Sequence, residues 1–147
     1  MNNKSTEEYI AELVTKAIQK TIDKKTDLII EAIYDIYETK QDKITKETYS
    51  DYPKAATNNA KRAIKYKEES GNPKNCGTPV GWTRARQLAN REALSRDTIA
   101  RMSSFARHRQ NKDVPYEEGC GGLMWDAWGG DEGIDWAQRK LKEIDSE

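Results

Sequence analysis

Apolar residues recur along the first forty positions at spacings of three and four. Ile10, Leu13, Val14, Ala17, Ile18 and Ile22 begin the pattern, and Ile29, Ile33, Ile36 and Tyr37 continue it. This is the period of an α-helix with one apolar face. Ser5-Thr6-Glu7-Glu8 precedes it with the Ser-x-x-Glu spacing of a capping box, in which each end of the motif satisfies a free backbone donor of the other. The polar stretch 23–27 reads either as a turn between two helices or as the wet face of one long helix. A thin apolar stripe on an isolated helix is marginal in water. The pattern therefore predicts docking or oligomerisation through Ile10, Leu13, Ile22, Ile29, Ile33 and Ile36. The partner would be the rest of the chain, a second copy in a homo-oligomer, or another protein. The heptad match is too short and irregular for a coiled coil.

The punctuation changes near residues 48–53. No Gly, Pro or Trp precedes Pro53, and all four tryptophans lie beyond residue 80. We place the boundary between an amphipathic region, 1–48, and a second domain, 49–147. Pro53 suits a first helical position, where its missing N–H costs nothing. A helix over 54–70 follows, with Gly71 as its stop. After a loop at 72–77, Thr78 and Pro79 restart a helix that runs to about Asn90. Ser95 caps another to about Gln110, with Asp97 in its first turn. A loop holding Pro115 and Gly119 leads to a short helix near 123–128. Gly129-Gly130 breaks it, and 131–144 forms the last helix. Trp82, Trp125, Trp128 and Trp136, with Phe105, supply the core. Nothing alternates with period two, so no strand is predicted. The expected fold is all-α: an amphipathic helix or helical hairpin, then a compact Trp-rich multi-helix domain containing a helix-turn-helix-like pair.

Composition narrows the class. Hydrophobic residues make up 35% and charged residues 34%, and the mean hydropathy is −1.00. No apolar run is long enough to span a bilayer, so no membrane partner is expected. The polar, acidic first thirty residues lack the pattern of a secretory signal. So low an apolar fraction suits one small domain with an appendage better than a single core for the whole chain.

The formal net charge of zero hides a segmented chain. Residues 1–53 carry −3, residues 54–112 carry +10, and residues 113–147 carry −7. Eight of the nine arginines fall between Arg62 and Arg109. On a helical wheel for 95–110, Ile99, Met102, Phe105 and Ala106 form the buried face. Arg96, Ala100, Arg107 and, at the margin, Arg101 lie away from it. With Arg84, Arg86, Arg91 and Arg109 they would make an arginine field suited to DNA phosphates or to an acidic protein partner. The competing reading is neutralisation by the chain's own acidic tail. The order helix, linker, capped helix over 79–110 also suggests a DNA-binding regulator with a variant helix-turn-helix. The interval from Ala89 to Ser95 is longer than the usual tight turn.

Other chemistry is sparse. Cys76, Cys120 and the single histidine, His108, lack the close ligand pairs of a zinc site. The two cysteines read as reduced thiols packed near tight turns, and His108 as a helix-end dipole partner. The glycine-rich stretch 121–130 lacks the Lys-Ser/Thr of a phosphate loop. We expect no catalytic residue, no metal and no cofactor.

Several runs carry a resemblance: 49–56, 76–81, 84–90, 94–102 and Trp125-Asp126-Ala127-Trp128-Gly129-Gly130. Together they resemble a small helical domain of tailed bacteriophages, found alone or appended to head-maturation proteases and other head-region proteins. The resemblance covers about residues 49–145. It implies a viral context, as a virion or head-associated protein assembled in the host cytoplasm. Its implied partners are capsid proteins, with packaged double-stranded DNA as an alternative. It implies no reaction, and the chain has no protease domain to which protease residues would map.

Overall fold

A computed structural model describes residues 5–41 and 47–147, and the side chains of all of these except 34–41. The chain divides into two units, Met1–Asp35 and Ile36–Glu147. Helix α1 spans Thr6–Gln41 without a break, so the stretch 23–27 is helical and not a turn. At its start the Glu8 N–H donates to Ser5 Oγ at 3.2 Å. Glu7 and Glu8 place negative charge in the first turn, where the helix dipole favours it. Nine of its large apolar side chains, from Tyr9 to Ile33, are exposed, and Ile30 is half-buried. The Ile36 side chain lies outside the described residues.

The second unit is built around α2, Lys54–Ser70. Its inner face is unusually small: Ala56, Ala60 and Ala63 are fully buried. Small side chains let α3 (Pro79–Ala89), α5 (Gly121–Ala127) and α6 (Gly130–Asp145) approach α2 closely. Helix α4, Arg96–Ser104, packs mainly on α6. Trp82, Trp125, Trp128, Trp136 and Phe105 are all buried in one cluster, as the aromatic distribution predicted. Phe105 stacks on Trp128 with centroids 4.7 Å apart. The caps are also those of the sequence. Thr78 Oγ1 accepts from Gly81 N, and Ser95 Oγ accepts from Thr98 N, both at 3.2 Å. Gly71 ends α2 with φ +73°, and Gly129 and Gly130 turn the corner into α6 with φ +106° and +66°.

Three expectations are corrected. A two-stranded antiparallel sheet exists, β1 (Thr48–Tyr49) with β2 (Leu94–Ser95), pairing Thr48 with Ser95 and Tyr49 with Leu94. Two-residue strands are too short to show alternation in the sequence. The helix expected to run to Gln110 stops at Ser104 and tightens into a 3₁₀ segment, Phe105–Asn111. Cys76 and Cys120, expected as reduced thiols, form a disulfide. Packing of the 71–78 loop against the start of α5 brings their Cα atoms to 5.3 Å, inside the range a disulfide needs. A separation of 44 residues gave no local sign of this contact.

Candidate partner-binding surface

The seven arginines expected to share one face occupy three different settings. Arg84 and Arg101 are interior, with 4% and 3% of their surface exposed. Arg84 reaches from α3 to α4, donating to Gln87 Oε1 and to Thr98 Oγ1, and lies over the Trp128 ring at 5.8 Å. The wheel placed Ala100 and Arg101 away from the buried face, and the structure corrects this. Asp97 through Met102 are buried without interruption. Helix α4 has nine residues and is flanked by α6, β2 and the 3₁₀ segment, so most of its circumference is covered. The second member of the helix-turn-helix-like pair therefore has little surface to present to a groove.

Arg91, Arg96 and Arg109 reach the surface, but their guanidinium groups are bound by their own chain. Arg91 sits at φ +56° in the turn after α3. It donates to Ser50 O at 3.1 Å and Thr57 Oγ1 at 3.0 Å, and covers the Tyr52 ring at 4.3 Å. Arg96 forms a two-pronged pair with Asp145, both contacts at 2.8 Å. The hydrogen bond from Arg96 holds the Asp145 carboxyl below the usual carboxylate range. Arg109 reaches Asp135 at 2.7 Å and Asp131 at 3.8 Å, and lies over Trp125 at 5.0 Å. Lys112 adds a 2.8 Å contact to Asp131, which lowers that carboxyl too. At these positions the basic block and the acidic tail neutralise one another within the unit.

Arg86 and Arg107 are exposed and make local contacts. Arg86 donates to Thr83 Oγ1 at 3.2 Å, and Arg107 to Ser104 O at 2.8 Å. Arg86 borders a half-open recess of about 180 Å³ with Ile64, Lys67, Asn72 and Trp82. Lys67 Nζ stands 4.7 Å over the Trp82 ring there. Sequence reasoning missed Lys67 and Arg62, whose only signal was membership of the basic block.

A second polar cluster joins α2, the 113–120 loop and α5. The Tyr116 hydroxyl hydrogen-bonds Asp126, and Arg62 Nε lies 3.7 Å from the same carboxylate. Burial raises the Asp126 carboxyl above its ordinary value. Burial, with the hydrogen bond to Asp126, pushes the Tyr116 phenol up to about 12. His108 packs with its ring centroid 4.8 Å from that of Phe105. Among the described residues no group of His, Cys, Asp and Glu has the geometry of a metal site. No helix among them is long and apolar enough to cross a membrane. Comparison with protein families, with curated proteins and with solved structures gives no match for the chain.

Proposed function

We propose that the chain is a non-enzymatic structural or assembly protein of a tailed-phage head. In this reading α1 is the association element, and the Trp-cored unit is a rigid module presenting Arg86 and Arg107 to an acidic patch on a capsid protein. One observation carries it: the exposed large apolar side chains among the described residues all lie on α1. A helix with that face uncovered has no account as a free monomer. The phage context rests on the resemblance of residues 49–145. Its motifs are also the fold's corners: Thr78 and Gly81 at the α3 cap, Trp128 in the core, Gly129-Gly130 before α6. A capsid protein is preferred to packaged DNA because Arg84 and Arg101 are buried, and Arg91, Arg96 and Arg109 are tied to distant groups of their own chain. Those five are then not offered to phosphates, whose contacts carry DNA affinity. The test is immunodetection of the chain in gradient-purified particles from a producing host. A constant copy number per particle is expected, and its absence from particles overturns the reading.

A further inference from the structure

From its repeat, its width and its exposure, we infer that α1 is a homo-oligomerisation helix, and that a bundle of three or four copies of this chain covers its apolar face. The inference rests on reading α1 as an association surface and names what occupies it. Val14, Ile18, Ile22, Lys25, Ile29 and Ile33 are spaced 4, 4, 3, 4, 4, so the triplet 14, 18, 22 repeats eleven residues later as 25, 29, 33. An eleven-residue repeat gives about 3.67 residues per turn. That value is close to the 3.6 of a straight helix, so one row stays on one face for five turns without the supercoil a heptad imposes. It also explains why the heptad match fails. Each apolar member of the row is between 49% (Ile22) and 61% (Ile33) exposed.

Two arguments select copies of the same chain as the occupant. The first is length. Grooves that receive a helix engage anchors at i, i+3, i+4 and i+7, about two turns. A second copy presents the same spacing over the whole row, so neighbours match at every turn. The second is width. Ile10, Ala17 and Leu28 form a neighbouring row, and at 100° per residue the two rows cover about 160° of the helix. That exceeds the narrow seam of a two-helix pair. Covering both rows would bury roughly 600–800 Å² per copy, which reaches the size of a stable interface. Lys25 interrupts the row once, the kind of single polar core residue that fixes alignment at a cost in stability.

Sedimentation equilibrium of the full chain at micromolar concentration tests this. The parent is expected at three or four times the chain mass. The double substitution Ile22→Asp, Ile29→Asp is expected at the mass of one chain. All four tryptophans lie in the second unit, so an unchanged near-ultraviolet spectrum shows that unit intact in the variant. Lys25→Ile is expected to tighten the assembly at least tenfold. A parent at single-chain mass overturns the inference, as does an assembly indifferent to both Asp substitutions. Weakening by Lys25→Ile overturns the place of Lys25 in the row. Association with particles is a separate readout: a monomer found in particles defeats this inference and leaves the proposed function standing.

Discussion

At Asn59 one side chain closes the contact between two elements. Its amide donates to Gly129 O at 2.9 Å and to Glu132 Oε2 at 2.8 Å, and its oxygen accepts from Arg62. Gly130 has no room for a Cβ because Asn59 fills that space. Asn59→Ala would remove one of two donors from Gly129 O, which keeps the Gly133 N–H, together with the bonds to Glu132 and Arg62, at a cost of about 0.5–1.5 kcal/mol in urea unfolding. A loss below about 0.5 kcal/mol, the size of an ordinary surface change, would show that water replaces the amide. Tyr52 plays a similar part. It is 1% exposed, donates to Glu92 O at 2.8 Å and meets the Trp136 ring edge-on. Neither residue was legible in the sequence. An Asn inside a helix and a Tyr before a Pro both read as neutral until their partners, 70 and 40 residues away, are in place.

Among the elements, the 71–78 loop is tied at several points. Gly71, Asn72, Asn75 and Gly77 all have positive φ. Asn72 bonds the Cys76 backbone at both its carbonyl and its N–H, Trp82 Nε1 donates to Cys76 O, and the disulfide ties the loop to the start of α5. Closing a loop of this length in the unfolded chain stabilises the fold by about 2–4 kcal/mol. A thiol reductant, or Cys76→Ser with Cys120→Ser, is therefore expected to lower the urea midpoint by the corresponding amount. Unchanged midpoints would mean the bridge does not constrain the unfolded chain. For α4, the wheel read its own period correctly at Ile99 and Met102. It failed at Ala100 and Arg101 because neighbours cover a short helix on more than one side.

Over the whole molecule, charge within the second unit is arranged to cancel, and this sets the response to pH. Asp145 is held below the usual carboxylate range by Arg96. Its contribution is present above the unfolded carboxyl value of about 3.9 and is lost as pH falls through the lower folded value. Both partners are partly exposed, so solvent screening limits the pair to under about 1 kcal/mol. Asp145→Ala should cost that much near neutral pH, and the difference from the parent should vanish in strong acid. A difference that persists there would assign the cost to lost packing. Tyr116 has the opposite sign. With its phenol pushed up to about 12, its contribution is whole below the unfolded value of about 10 and is lost between about 10 and 12. Ultraviolet titration of the folded protein should show a late-ionising tyrosine that returns to about 10 in denaturant. Intramolecular pairing also predicts that the chain leaves a DNA column at low salt, and that Arg86→Ala with Arg107→Ala weakens what retention there is. Retention in moderate salt would favour packaged DNA over an acidic protein patch.

The sequence by itself determined what depends on neighbours three or four residues apart. That covers the helical character of the first forty residues, though not whether a turn broke it at 23–27, the caps at Ser5, Thr78 and Ser95, the stops at Gly71 and Gly129-Gly130, the all-α class and the aromatic core. Hydrogen bonds and apolar periodicity within a helix are local, so they leave local marks. The tertiary structure decided everything that depends on distant pairs: the β1–β2 pairing, the disulfide, the burial of Arg84 and Arg101, and the capture of Arg96 and Arg109 by the acidic tail. A guanidinium has the same sequence signature whether it faces a carboxylate of its own chain or one of a partner. Only the placement of α4 and of the 3₁₀ segment beside α6 decided between the two.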